Sequence, residues 1–214
     1  MGFVLSSKDY MEYIKLAAAK IHENGDYVTA LDSATGDGDH WSNINMGFEK
    51  LVDEAPELEK LGVFELFKKI GSIMMSVIGG SSGVLYGSAY IGAAKVLKDK
   101  EGIDNAEMCN VLEAMLDSIM SRGNAKPGFK TMIDCLYPAV EMYKDCVAKG
   151  VPEEKTVEMV KTAAIDGAQS TMNMEAVRGR ACYQANKGVG HLDPGAVTMS
   201  YQIETLMDYI KTKL

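Results

Sequence analysis

The chain has 214 residues, 47% of them hydrophobic, and a formal net charge of −8. That length accommodates one sizeable core, and the acidic balance excludes a nucleic-acid partner, which demands a basic face. No apolar run of about 18 residues crosses a membrane and no charged start precedes an apolar stretch, so a cytoplasmic single domain over residues 1–214 is expected. Cys109, Cys135, Cys146 and Cys182 lack paired spacing and read as reduced packing residues.

Helical periodicity dominates. From Lys8 to Asn24, Met11, Ile14, Ala17, Ala18 and Ile21 recur at three- and four-residue steps, the stripe of an amphipathic helix. Met46, Phe48, Leu51 and Val52 mark a second helix, and Leu61, Phe64, Phe67, Ile70, Ile73, Met74 and Val77 a longer third. Leu85 to Leu97, Glu107 to Met120, Thr131 to Ala148, Glu153 to Thr171 and Pro194 to Lys213 bring the total to about eight, with Gly, Pro and Asp turns between them. Alternating β-branched runs are nearly absent. The expectation is an all-α domain, its many methionines serving as adaptable core filler.

Four connections carry polar chemistry. The first places Asp32, Asp37, Asp39 and His40 within nine residues together with Gly36 and Gly38, ahead of Trp41, Ser42 and Asn43. Carboxylate oxygens suit Mg²⁺, which completes its shell with water and substrate phosphates; a polar turn is the plain alternative, and Ser42 or Asn43 also suits a helix N-cap. The second, Gly79-Gly80-Ser81-Ser82-Gly83, precedes an apolar helix and permits close backbone approach to an anion. Ser121 to Gly128, leading into Phe129-Lys130-Thr131-Met132, is the third. The fourth combines Arg178-Gly179-Arg180 with His191-Leu192-Asp193-Pro194-Gly195-Ala196. Its arginines offer a donor fork for phosphate, while Asp193-Pro194 equally reads as an N-cap followed by proline in the first turn.

Established nucleotide motifs are missing. Neither a P-loop nor a Gly-x-Gly-x-x-Gly after a strand occurs. The acidic connection breaks the EF-hand pattern, since its carboxylates do not alternate and Asn43 occupies the closing position. His40 lacks a second imidazole or thiolate at zinc-ligand spacing.

In their order along the chain, Leu31-Asp32, Gly36-Asp37-Gly38-Asp39-His40, Asn43, Gly47-Phe48, Gly80-Ser81-Ser82-Gly83, Leu85-Tyr86-Gly87, Arg122-Gly123, Lys130-Thr131-Met132, Gly179-Arg180-Ala181 and Gly190 to Ala196 resemble the nucleotide-binding L subunit of dihydroxyacetone kinases. The resemblance covers essentially the whole chain. It implies a closed barrel of about eight amphipathic helices, with ADP or ATP held at one end through two Mg²⁺ ions. Asp32, Asp37 and Asp39 would bind the metals; His40, Ser42 and Asn43 would lie against the nucleotide; Ser81 and Ser82 would meet its phosphates. Gly123, Met132, Arg180, Asp193, Pro194 and Gly195 would complete the pocket, with no catalytic side chain beyond those that position metal and phosphate.

The resemblance further implies a K-type partner subunit that holds dihydroxyacetone on a histidine, in a transient complex. The phosphate source is either exchangeable ATP or resident ADP recharged by a phosphotransferase-system protein. Three departures stand near the nucleotide loops: Trp41 where the family usually has Gly, Val84 where Pro commonly follows Ser-Gly, and Phe129 where Asp commonly precedes Lys-Thr-Met. They suggest a divergent branch acting on another short ketose, with Trp41 either stacking on a base or partner or packing internally. A nucleotide-loaded regulatory module that docks on a partner without catalysis is the competing function.

Overall fold

The structure is a computed structural model that describes residues 2–214. Its α-helices are α1 (Ser7–Glu23), α2 (Gly25–Thr35), α3 (His40–Asp53), α4 (Ala55–Leu58), α5 (Val63–Val77), α6 (Gly80–Val96), α7 (Asn105–Gly123), α8 (Ile133–Ala148), α9 (Glu153–Ser170) and α10 (Pro194–Lys211). Two short 3-10 turns, Thr171–Asn173 and Arg180–Tyr183, lie between α9 and α10. A two-residue antiparallel ladder pairs β1 (Val4–Leu5) with β2 (Ile103–Asp104). The expected all-α class holds, and eight of these helices match the predicted stripes.

Two helices were not anticipated. The four-residue α4 is too short to generate a stripe, and α2 has few apolar residues, of which only Val28 is fully buried. Asp32 therefore belongs to the last turn of a helix instead of a loop. Two boundaries also move. Ser81 and Ser82 fall inside the first turn of α6, and Gly123 is the last residue of α7, where Asn124 closes the helix in a left-handed conformation.

Contacts pass from α1 to α3, α5, α6, α7, α8, α9 and α10, and then back to α1. This circuit surrounds a core that includes Tyr10, Tyr13, Phe67, Tyr86, Tyr90, Leu136 and Ile203. The α5–α6 contact relies on a pair of glycines: a Cβ added at Gly71 would stand 2.9 Å from the Gly87 carbonyl oxygen, and one at Gly87 2.9 Å from that of Gly71. Backbone can thus pack directly on backbone, drawing the start of α6 against the rest of the bundle. Helix α2 lies outside the circuit, against α3 and α10.

The circuit is fastened where the two ends of the chain meet. Ser6 and Asp9 form a reciprocal cap at the start of α1, satisfying backbone donors that an unpaired helix end would expose. Asp9 Oδ1 also accepts from Lys213 Nζ at 2.6 Å and from the Tyr209 hydroxyl at 3.2 Å, linking α1 to α10 and the tail behind it. Burial alone would raise the Asp9 carboxyl, but the Lys213 and Ser6 hydrogen bonds outweigh it and hold the group well below the usual carboxylate range. A depressed carboxylate contributes stability above its unfolded value and loses it as pH falls. Asp9→Asn should therefore cost about 1 kcal/mol at neutral pH. Urea titrations at stepped pH should show that deficit shrinking below about pH 4, where Asp9 of the unfolded parent chain takes up a proton while the folded carboxylate stays ionised.

Candidate functional site

The acidic connection is held from behind by α2. Asp32 is 8% exposed, and its Oδ2 accepts the backbone N–H of His40 at 3.0 Å. It thereby satisfies a donor in the first turn of α3 while the helix dipole favours its charge. Asp39, not Ser42 or Asn43, is the N-cap residue of α3, and it makes no side-chain cap bond; Ser42 instead donates to the Asp39 carbonyl at 2.8 Å. Gly38 supplies the left-handed turn, with φ +78°, and Gly36 leaves room for the Asp32 carboxylate, which a Cβ would strike. The outcome is a triad: oxygens of Asp32, Asp37 and Asp39 lie within 4.8 Å of one another, Asp32 buried and the other two exposed.

The triad forms part of the wall of a cleft of about 300 Å³, lined by residues of α2, α3, α6, α10 and the 3-10 turn Arg180–Tyr183 and by the connections that precede α3, α8 and that turn. Of the residues expected at the site, Asp32, Asp37, Asp39, His40, Asn43, Ser81, Ser82, Met132, Arg180, Asp193, Pro194 and Gly195 line it. Two do not. Ser42 is turned away along α3, and Gly123 borders an adjoining cavity of about 380 Å³, shared with Val84, Leu85, Ile119, Met132 and Ile133. Trp41 lies outside the cleft: its Nε1–H donates to the Ile21 carbonyl at 3.0 Å and its ring rests on Gly25. That geometry assigns it to internal packing, not base stacking.

The α6 N-terminus opens on the cleft. Its N-cap is Gly79, with no side-chain cap bond, so the amides of the first turn have no side-chain acceptor, a ready environment for an anion. A Cβ at Gly79 would come within 2.6 Å of Asn43 Oδ1, which fixes the distance between the starts of α3 and α6. Arg180 spans the opening, its Nη2 2.5 Å from Asp37 Oδ2. Arg178 donates twice to the Asn124 carbonyl, at 3.1 and 2.8 Å, and lies over the Phe129 ring.

Sequence reasoning missed one residue at the centre of this architecture as a site residue. Lys130 lines the cleft yet is only 2% exposed, with a left-handed backbone at φ +59°, a strained conformation for a side chain of this size. Its Nζ donates to the carbonyls of Thr171 and His191, fastening both ends of the long connection that carries Arg178 and Arg180. Burial holds the Lys130 amine below its usual range. Beside it, burial pushes the Asp193 carboxyl up to about 7, against the opposing pull of the Ala196 N–H and of Lys130. Asp193 still caps α10, accepting from Ala196 N at 2.7 Å, and Pro194 follows in the first turn as expected. The loop ahead of Lys130 is clamped by Asp134, whose two oxygens accept the N–H groups of Gly128 and Thr131.

Replacing Lys130 with Met keeps the stem but strands the carbonyls of buried Thr171 and of His191, and an unsatisfied buried group costs about 1–3 kcal/mol. Lys130→Met should lower the unfolding free energy by about 2–4 kcal/mol on that basis and should accelerate tryptic cleavage at Arg178, Arg180 and Lys187. Unfolding curves and a timed digest read both effects.

Comparison with known proteins agrees with this arrangement. The DAK2 domain matches residues 34–208. The chain is 34% identical over 181 residues to the ADP-binding subunit DhaL of the PEP-dependent dihydroxyacetone kinase of Escherichia coli, covering 85% of this chain and 86% of that one. It is 33% identical over 201 residues to the ADP-binding subunit DhaL of the PTS-dependent dihydroxyacetone kinase of Lactococcus lactis, covering 94% of this chain and 96% of that one. The crystal structure of the dihydroxyacetone kinase from C. freundii in complex with AMP-PNP and Mg²⁺ superposes with a TM-score of 0.70 at 26% identity, over 92% of this chain and 33% of that longer chain. With this likeness running through the loops that build the cleft, the chain belongs to the DAK2-domain family, among the nucleotide-binding L subunits of dihydroxyacetone kinases.

Proposed function

We propose that this chain is the ADP-binding subunit of a dihydroxyacetone-type kinase, passing a phosphoryl group to a short ketose held on a separate K-type subunit. The observation that carries the reading is the juxtaposition of three carboxylates, their oxygens within 4.8 Å, with the uncapped start of α6 and with Arg180 around one cleft. The donor set is all carboxylate oxygen, which fits Mg²⁺ and not a thiolate- or imidazole-seeking metal. Asp32, Asp37 and Asp39 would hold two such ions, which when bound neutralise phosphate charge and stabilise the transferring group.

The chain's own residues do the positioning. Amides of Gly80, Ser81 and Ser82 and the hydroxyls of the two serines present donors to phosphate oxygens, and the Arg180 guanidinium adds a planar fork. His40, Asn43, Asp193, Pro194 and Gly195 form the adjacent walls. The adjoining cavity, where Val84, Leu85, Gly123 and Met132 gather, has the apolar character and size for a purine base. Ser42 acts through the Asp39 carbonyl that it bonds, not through contact across the cleft. Phosphoryl transfer demands little covalent chemistry from the protein, which accounts for the lack of a side-chain nucleophile in this reading.

Likeness across most of both chains to PEP- and PTS-dependent ADP-binding subunits supports resident ADP, recharged in place by a phosphotransferase-system protein. The regulatory docking module is not favoured, since the relatives described above are all kinases or kinase subunits.

Mass spectrometry of nucleotide released by acid from protein purified with Mg²⁺ should find ADP near one equivalent. Protein that emerges empty but binds ATP on titration points to an exchangeable ATP-dependent subunit, and failure to bind either nucleotide overturns the reading. Asp37→Ala should reduce phosphoryl transfer to dihydroxyacetone, assayed with the K-type subunit, by about 100-fold or more, with helical circular dichroism unchanged because Asp37 is exposed on its loop.

A further inference from the structure

His40 reaches the cleft from the first residue of α3, and its ring is tied from behind. Nε2 lies 2.9 Å from Thr198 Oγ1, and Thr198 is completely buried on α10. Distance alone leaves the direction of this bond open, because either neutral tautomer of His40 can make it; the second contact of the hydroxyl favours one. Thr198 has one hydroxyl hydrogen, and the Gly195 carbonyl, 3.2 Å away and one turn back along the helix, is placed to accept it. With the hydrogen used there, Oγ1 offers the ring its lone pairs and the N–H of the contact belongs to the imidazole. The same corner is braced by Gln202, whose Nε2 donates to the Thr198 carbonyl at 2.9 Å and to the Tyr86 hydroxyl at 2.7 Å. Nδ1 has no hydrogen-bond partner in the protein. Nor is it a buried orphan: among the described residues the one buried side-chain polar atom without a partner is Asn45 Oδ1.

We propose that Thr198 is a positioning residue for the nucleotide site, holding His40 as the Nε2–H tautomer so that Nδ1 presents a lone pair to an O–H donor of the bound ligand. The inference deepens the nucleotide reading and rests on it. Phosphate oxygens are themselves acceptors, so Nδ1 in this state does not recognise them. That task falls to Arg180 and the start of α6, while His40 takes a ribose hydroxyl or a water held on the metal.

The chain contains three histidines, His22, His40 and His191, so nitrogen-15 imidazole spectra are simple to assign by loss of a signal in His40→Asn. They are recorded on ligand-free protein at about pH 8, where an ordinary imidazole is neutral. A slowly exchanging Nε2–H and an unprotonated Nδ1 are expected for His40 in the parent and in Thr198→Ser. In Thr198→Val that proton should exchange quickly with water and Mg·ADP should bind about 3- to 10-fold more weakly, with Thr198→Ser restoring affinity to within about 2-fold. Repeating the titrations with 2′,3′-dideoxy-ADP names the donor: a penalty that disappears assigns a ribose hydroxyl, and one that persists assigns a metal-held water. An Nδ1–H form in the parent overturns the proposal, as does a Thr198→Val protein unchanged in exchange and affinity. Should Thr198→Val fail to fold, the parent and Thr198→Ser spectra decide the tautomer. Because those spectra need no nucleotide, a parent that binds no ADP would sink the nucleotide reading separately.

Discussion

Everything at the cleft depends on one buried carboxylate. Asp32 is in the last turn of α2, accepts the amide of the first residue of α3, and stands as the buried member of the acidic triad. A lone charge at that depth would be costly. Here the N–H of the first residue of α3 meets one of its oxygens, so the carboxylate has a hydrogen-bond partner within the protein before any cation arrives. It also sets geometry: with α2 fixed against α3 and α10, the segment bearing Asp37 and Asp39 is anchored at both ends and cannot drift from the start of α6.

That arrangement answers a problem of sign. A chain of net charge −8 repels a polyanionic ligand at long range, and a triad of aspartates intensifies the repulsion locally. Cation at the cleft is limited: Arg180 already pairs with Asp37, Arg178 is committed to the Asn124 carbonyl, and the Lys130 ammonium is spent on two backbone carbonyls. Backbone amides at α6 add partial charge only. The balance favours a ligand that brings its own positive charge, and a nucleotide complexed with divalent metal does so. The same balance gives Lys130 a structural task in place of a phosphate contact, since its amine points into the protein and not across the cleft.

How much of this was legible in the sequence follows from the range of each interaction. Helical stripes depend on neighbours three and four residues apart, so eight helices could be read directly. Helix α2 could not, because Gly25, Asp26, Asp32 and Ser33 are weak helix formers and its stability comes from packing on α3 and α10. The Asp-Gly-Asp-His run and the Asp-Pro-Gly turn are local and announced themselves. Lys130 did not: a lysine reads as solvent-exposed, and its burial depends on carbonyls 41 and 61 residues away. The link between His40 and Thr198, 158 residues apart, has no signature at all.

The three departures from the family pattern have separate physical consequences. Trp41 fills space behind the acidic loop, bonding the end of α1, covering Gly25 and packing against the cluster of Val28, Leu192 and Val197. Where the family's glycine would leave that corner unfilled, the indole ties α1, α2 and α10 together directly beneath the triad. Phe129 replaces a charge with an aromatic face, over which both Lys126 and Arg178 lie with 5.6 Å to the ring centroid. An aspartate in its place would neutralise a cation near the phosphate region; a phenylalanine holds the guanidinium by its quadrupole and leaves its full charge in the field of the cleft. Val84 adds a branched side chain to the apolar cavity beside the cleft without touching the triad. The acidic centre is therefore buttressed by one change and electrostatically sharpened by another, while the third alters the wall against which a base would rest.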